Sequence, residues 1–501
     1  MLKQVILFFV LWGVFCACSD FLEPKSPSEY VPKNVNSLSE MLLGDGYPRA
    51  SGGTELFAYH NVLDDDVEVT DEPIEFYAND ISRYEGFKDL FSWHPQMDIT
   101  LKEGNLYCNV WRGFYKLIMA TNAALDYLDD VSGTDEEKNY LKGQALALRA
   151  YYYFQLVNLF GEPYTYDKWA LGVPLKLVSG LSAEYEKRNT VEEVYKQILE
   201  DLEGAEKVFM ELPAEKQFNM RYRINLPAVQ LLSSRVYLYM GNLEQAGKYA
   251  EKVIKDWNFT LYDLKTFTPT VSVPYPNYVS FENPETIWAF GCSGDLCGFM
   301  GMYGYKEDGE TTRRFLAASK ELLASFEEGD LRKEYYILKG YENGRLIPDF
   351  YRPIGKMVIS SVYTPVSSEA FALSFRLSEA YLTLAEAMYK TDPDLSIKLI
   401  HDLRIRRISG ECDMPENLSG ESLLEFIRAE RRRELCFEGH RWFDLRRGGM
   451  PSFTRVWKEK GVPVKTFMME KEDAAYTLPI PQDVMERNPN LQQNRLTTPK
   501  L

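Results

Sequence analysis

The sequence is poor in the residues from which catalytic and metal centres are made. Its 501 residues include only four histidines, His60, His94, His401 and His440, and none pairs with another at ligand spacing. The seven cysteines form no disulfide framework. Cys16 and Cys18 fall in the N-terminal segment, while Cys108, Cys412 and Cys436 are scattered and read as small buried hydrophobes. Cys292 and Cys297 are close enough to pair in an oxidising compartment, but neither has His or Cys partners at zinc spacing, so no metal and no cofactor is expected. A basic surplus is also missing. Lys plus Arg number 57 against 74 Asp plus Glu, a net charge of −17, which argues against a surface that neutralises nucleic-acid phosphate. No G-x-S-x-G elbow, Walker loop or HExxH is present.

What is abundant is aromatic surface, 14% of residues with 33 tyrosines. Part of it must be core, but amphipathic rings in such number also suit binding of sugars or peptides. Residues 1–18 combine Lys3, a short apolar run and the small residues of CACSD, the pattern of an export signal too short to span a bilayer with ease. Ala17–Cys18 resembles the end of a bacterial lipobox, although Phe15 and Cys16 depart from it. Cys18 is then the lipidated mature N-terminus, and the alternative is ordinary cleavage with Cys18 unmodified. Residues 19–33, with Pro24, Pro27 and Pro32, suit a tether.

The stretch Gly143–Gly161 is apolar on nearly every helical face, so it must be buried on several sides. Its one charge, Arg149, needs a partner and is expected in a structural ion pair or on a neighbouring helix's carbonyls. Gly161 suits a left-handed C-terminal cap. Helical stripes recur at Trp111–Leu128, Thr190–Phe209, Leu226–Asp256 (broken at Met240-Gly241-Asn242) and Phe371–Ile408, with Asn36–Leu43 a short candidate. The small-and-large alternation of LLSSRVYLYMGNLEQAGKYAEKVI and RLSEAYLTLAEAMYK is that of tetratricopeptide repeats, so the fold class is mostly α, an α-solenoid of helix pairs. Two spans interrupt it. Residues 44–104 have no long helical period, but they hold dense aromatics and the cluster Asp64-Asp65-Asp66, which reads as a solvated loop or helix cap in preference to a calcium site. Residues 258–369 form a loop-rich insert with the strand-like ETIWAF. In Glu421–Gly449 arginines and glutamates alternate at spacings of three and four, an inter-helix ion-pair network.

Four stretches together, CSDFLEPKSPSEY at 18–30, ALRAYYYFQLVNLFGEPY at 147–164, RRRELCFEGHRWFDLRRGG at 431–449 and LPIPQDVMERNPNLQQN at 478–494, resemble the SusD/RagB family of outer-membrane nutrient-binding lipoproteins of the Bacteroidetes. The resemblance implies tetratricopeptide-like helix pairs packed on a variable portion. It divides the chain into signal (1–18), tether (19–33), N-terminal helical part (34–257), variable insert (258–369), and a C-terminal helical part with an extended tail (370–501). It also implies a non-catalytic protein, lipid-anchored at the outer membrane and facing outward, that captures oligosaccharides for a SusC-like TonB-dependent transporter. A peptide cargo is the alternative.

The family's ligand contacts lie in variable loops, so no motif carries them over. Sugar faces stack on exposed rings while nearby polar groups meet the hydroxyls. On that chemistry Arg83, Trp93, His94, Trp288, Tyr303 and Tyr305 are the candidate ligand-binding residues, with no catalytic residue. The competing enzyme reading is a surface glycosidase using Asp64, Asp65, Asp66 and Glu75, which would need two carboxylates roughly 5–10 Å apart in a cleft.

Overall fold

The computed structural model describes residues 32–48, 56–57, 60–75, 81–104, 109–180, 185–268, 279–292, 295, 304–305, 311–312, 315–342, 345–352 and 371–500. The signal with Cys18, the tether to residue 31 and Cys297 lie outside them, and with Cys297 the question of its pairing with Cys292.

The helices begin where capping chemistry is available. After α1 (Val35–Met41), α2 (Ile81–Phe91) and α3 (Met97–Glu103) come the long ones, α4 (Val110–Asp126), α5 (Asp135–Phe160) and α6 (Val191–Met210). Thr134 with Glu137 and Thr190 with Glu193 form reciprocal capping boxes, so α5 starts eight residues before its apolar run does. α7 (Leu226–Tyr239) and α8 (Leu243–Lys255) part where expected, because Gly241 adopts φ +74° and the Asn242 side chain caps Gln245 N. α9 (Leu377–Met388), α10 (Pro393–Arg404), α11 (Gly420–Leu435) and α12 (Arg441–Arg447) complete the series. The helices α2 and α3 fall inside the span read as lacking a long helical period; both are short and amphipathic only against this particular core.

Packing follows chain order. α4 lies on α5, α5 on α6, α6 on α7, α7 on α8, α8 on α9, and α9 on both α10 and α11. Small residues set the close approaches: a Cβ on Gly143 would meet the Phe209 ring at 2.9 Å, and one on Gly247 would meet Ala387 at 3.0 Å. From Gly143 to Phe160 every residue of α5 except Leu146 is buried. Such a helix needs its last carbonyls satisfied from elsewhere. Arg188 Nη2 and Asn494 Nδ2 both donate to Phe160 O (2.9 Å each), Leu478 N donates to Leu159 O (2.9 Å), and Arg446 Nη2 donates to Gly161 O. Gly161 is extended (φ −112°, ψ 162°), which corrects the left-handed cap expected for it. Its lack of a side chain serves close approach instead, since a Cβ would stand 2.9 Å from Val157 O. The C-terminal segment lies across the body, bonded at Leu478 and Asn494 to the end of α5, with a short helix at Gln482–Arg487.

Among the described residues the strands form two-stranded antiparallel pairs: β1 (Val67–Val69) with β5 (Leu316–Ala318), β2 (Thr286–Phe290) with β8 (Leu373–Arg376), β3 (Gly304–Tyr305) with β4 (Thr311–Thr312), β6 (Leu338–Glu342) with β7 (Arg345–Arg352), and β9 (Phe453–Glu459) with β10 (Val462–Met469). β2 is the strand ETIWAF announced, and it is buried throughout.

Arg149 is ion-paired as its isolation required. Its guanidinium forks onto Asp201 of α6 (2.7 and 2.8 Å) and donates to Asn122 of α4 (3.0 Å). The arginine-rich segment also forms the expected network, and it extends past the helices into the insert. Glu434, fully buried on α11, accepts from Arg332 (3.2 Å), Arg376 (2.8 Å), Arg407 (2.9 and 3.0 Å) and Tyr336 Oη (3.1 Å). One turn earlier Glu430 takes Arg332 and Arg433 at 2.6 Å. Burial alone would raise the Glu430 carboxyl, but Arg332, Arg433 and Arg404 overcome it and hold the group at about 2, against an ordinary 4.5. A depressed carboxyl stabilises the fold above its ordinary titration range and loses that contribution as pH falls towards the folded-state value. Unfolding free energy should therefore decline as pH falls from 4.5 towards 2, measured by denaturant titration. Glu434→Ala should cost about 3–5 kcal/mol at neutral pH, because it strands buried guanidinium groups; a loss under about 1 kcal/mol would show that the network carries little.

Candidate functional site

An open cleft of about 360 Å³ lies where four separate segments meet: the loop after β1, the first turn of α2, Phe315 before β5, and the β9–β10 turn. Backbone pairing brings the first and third together, through Thr70 N donating to Phe315 O (3.0 Å). The turn is fastened by Lys458, whose Nζ donates to Val69 O (2.8 Å) and pairs with Asp71 (2.7 Å). Asp71 also takes Lys320 Nζ at 2.7 Å, and hydrogen bonds from the two ammonium groups hold its carboxyl below the ordinary range. Gly461 (φ +76°) passes so close that a Cβ would stand 2.1 Å from Asp71 O.

Aromatic rings make the floor. Tyr84 packs on Trp457 (5.2 Å) and Phe315 (6.0 Å), and Phe315 meets Trp457 edge-on (5.4 Å). Trp457 Nε1 donates to the Tyr84 oxygen (2.8 Å), and burial keeps the Tyr84 hydroxyl protonated well beyond its ordinary range. Ile81, 54% exposed, supplies apolar rim. The polar rim consists of Glu72, Glu75, Glu85, Glu459, Lys458 and Lys460, with Lys460 paired to Glu75 at 2.6 Å. An apolar floor ringed by a few oriented polar groups is the usual form of a small-ligand site.

The residues nominated from the sequence do not assemble here. Trp288 is fully buried: its ring stacks on Phe290 (4.3 Å) and meets Phe375 and Tyr151 edge-on. Trp93 is 2% exposed, with Nε1 donating to Leu63 O (2.8 Å) and its ring edge-on to Phe453. Both are corrected from exposed stacking platforms to core. Trp288 lies on β2, which is buried along its whole length, and Trp93, two residues past the end of α2, turns its ring onto β9. His94 is half-buried, lies 3.8 Å from Asp89, accepts from Gln96 N, and does not line the cleft. Arg83 stands on α2 and Tyr305 on β3, their side chains outside the described residues, as is the whole of Tyr303. Tyr84, one of the dense aromatics of the same span, is the ring that reaches the cleft. Phe315 and 458–461 were not nominated, because sequence distance hides their meeting; the only local signal is the Lys460-Gly461 turn between two alternating strands.

Asp64, Asp65 and Asp66 are not a solvated loop. Asp64 Oδ1 does cap the turn by accepting from Asp66 N (2.9 Å), but Asp65 takes a fork from Arg441 (2.7 Å twice) and Asp66 takes Arg432 Nε (2.7 Å). Burial opposes ionisation of Asp65, and Arg441 overcomes it, holding the carboxyl below its ordinary range. Their ligand atoms lie within 4.8 Å of one another, yet the arginines already supply the positive charge that a cation would bring. These acids do not line the cleft that contains Glu75, so the carboxylate set weighed for a glycosidase is not gathered in one cleft.

The helical frame agrees with what related proteins show. Residues 7–238 match the SusD-like family model described as starch-binding and associating with the outer membrane, and residues 338–496 match that of the SusD family. The chain belongs to the SusD/RagB family. SusD-like protein P2 of Formosa agariphila is 24% identical over 426 residues, 77% of this chain and 79% of that protein. A SusD superfamily protein of Bacteroides thetaiotaomicron superposes with a TM-score of 0.67 at 24% identity, covering 92% of this chain and 98% of its own. A laminarin-binding SusD-like protein superposes at 0.62 and 21%, covering 92% and 99%. At these identities the solved structures establish the fold.

Gly461→Val should cost about 2 kcal/mol or more, since it combines a left-handed backbone with overlap on Asp71. Thermal unfolding that matched the native protein would mean the turn moves freely and does not define the cleft.

Proposed function

We propose that this protein is a non-catalytic, lipid-anchored binding protein of the outer cell surface, with Cys18 as the acylated N-terminus. It captures oligosaccharide in the cleft floored by Tyr84 and Phe315 and passes it to a SusC-like TonB-dependent transporter. The observation that carries the reading is this ring-floored, polar-rimmed cleft on a SusD-family frame. Its dimensions suit a few sugar rings, with apolar faces against Tyr84 and Ile81 and hydroxyls against the carboxylates and ammonium groups of the rim. Arg83, placed on α2 beside the cleft, belongs to the same proposal. The mixed charge of the rim also suits a short peptide, so peptides belong among the ligands tested.

Calorimetry against neutral glycans, acidic glycans and peptides should find a ligand that Ile81→Trp, filling the rim at an exposed position, weakens at least tenfold. Equal binding by Ile81→Trp would move the site elsewhere, and release of shorter sugars on incubation would favour a glycosidase. A pull-down from detergent-solubilised outer membranes should recover one large barrel, and mass spectrometry should find acyl chains on Cys18.

A further inference from the structure

A second aromatic surface lies outside the cleft. Trp169 is 66% exposed, whereas every other described tryptophan is buried or half-buried. It stands on the turn after the short helix Tyr164–Asp167, and that turn is held firmly. The Asp167 carboxylate accepts from the backbone N–H groups of Trp169 (3.0 Å) and Ala170 (3.2 Å). Val191 N donates to Ala170 O (2.9 Å) and Glu192 N donates to Lys168 O (2.8 Å), which pins the turn to the start of α6. Lys168 Nζ, locked by Glu192 at 2.6 Å, sits 4.6 Å from the Trp169 ring centroid and 5.9 Å from that of Tyr164. Tyr166, 50% exposed, stands in the short helix just before this turn.

An exposed indole is ordinarily mobile and avoided. This one is backed by a fixed ammonium group on a pinned turn, and so is oriented before anything binds. We propose that Trp169 is an accessory carbohydrate-stacking site, which holds a sugar ring of a longer glycan against its open indole surface while Asp167, Lys168 and Glu192 offer hydrogen-bond partners. A polysaccharide chain fits the arrangement better than a folded partner does. One ring flanked by charged groups is far smaller than the roughly 1,200 Å² that a stable protein interface buries. The inference rests on the glycan reading proposed above and adds a second point of attachment to it.

The test uses the intact protein in native affinity gels cast with soluble starch or laminarin, alongside Trp169→Ala and Trp169→Phe. Loss of one stacked ring should weaken retardation by the responding polymer about fivefold in Trp169→Ala, while Trp169→Phe stays close to the native protein. Unchanged binding by Trp169→Ala, or an equal loss in both variants, overturns the inference alone. A native protein retarded by neither polymer would overturn this inference, while calorimetry with acidic glycans would still decide the glycan reading. Because the residue is exposed, both variants should keep the native circular dichroism spectrum and melting temperature.

Discussion

The fold depends on ending one helix that is buried on nearly every side from Gly143 to its C-terminus. α5 has no solvent-facing side over most of its length, so its terminal carbonyls cannot be left to water. Leu159 O and Phe160 O, with Gly161 O just past the end, are met by groups from distant parts of the chain: Arg188 from the loop before α6, Arg446 from α12, Leu478 and Asn494 from the C-terminal segment. Cations at a helix C-terminus also face the negative end of its dipole. Three of the four stretches that resemble the family therefore meet at one point. The first of them precedes the other two by more than 260 residues in sequence, yet together they solve a single hydrogen-bonding problem. This explains why an extended, proline-fixed tail is ordered across the body: its backbone and amides complete the end of α5.

A second joint ties the insert to the helices. Glu285 precedes β2, Arg332 stands in the short helix Leu331–Tyr335, Arg376 ends β8, and Arg407 follows α10; all but Glu285 bond directly to Glu434. Glu285 closes the circuit through Arg407 (2.6 Å) and Arg376 (3.5 Å). Buried ion pairs are weak sources of net stability, but separating their members is expensive. Their effect here is to tie elements of the insert to α11 within the hydrophobic core that both share. That suits a protein whose insert strands, among the described residues, form only two-stranded pairs, each too small to be stable alone.

Helices were legible because their signals are local. The periodicity of Leu226–Asp256, the break at Gly241 and the Thr190 cap lie within a few residues of what they specify, whereas a start at the apolar run misses the first eight residues of α5, which begins at the Thr134 capping box. Arg149 was equally legible, since a lone charge on an apolar helix must find a partner. The cleft was not. Trp93 and Trp288 are candidates on the stacking chemistry of exposed rings, but a tryptophan beside a loop turns inward onto β2 or β9 as readily as outward. The Asp64–Asp66 run looked solvated because its balancing arginines, Arg432 and Arg441, stand some 370 positions later. Composition within a window says which rings are present, and only the tertiary pairing of β1 with β5 and of Lys458 with Asp71 says which of them face water.

That pairing also bears on how the cleft would work. Its walls come from four segments, each anchored to the frame by a backbone bond, an ion pair or a close glycine contact, so little ordering remains when a ligand enters. Preformed sites bind without an entropy penalty from loop closure, yet a single half-buried tyrosine and an edge of phenylalanine offer modest contact area. For a protein proposed to surrender its cargo to a transporter, the combination is apt. Rigid walls make capture fast, few stacked rings keep release fast, and selectivity falls to the charged rim, where Lys460 and Glu75 already satisfy one another and a ligand must improve on that pairing to displace it.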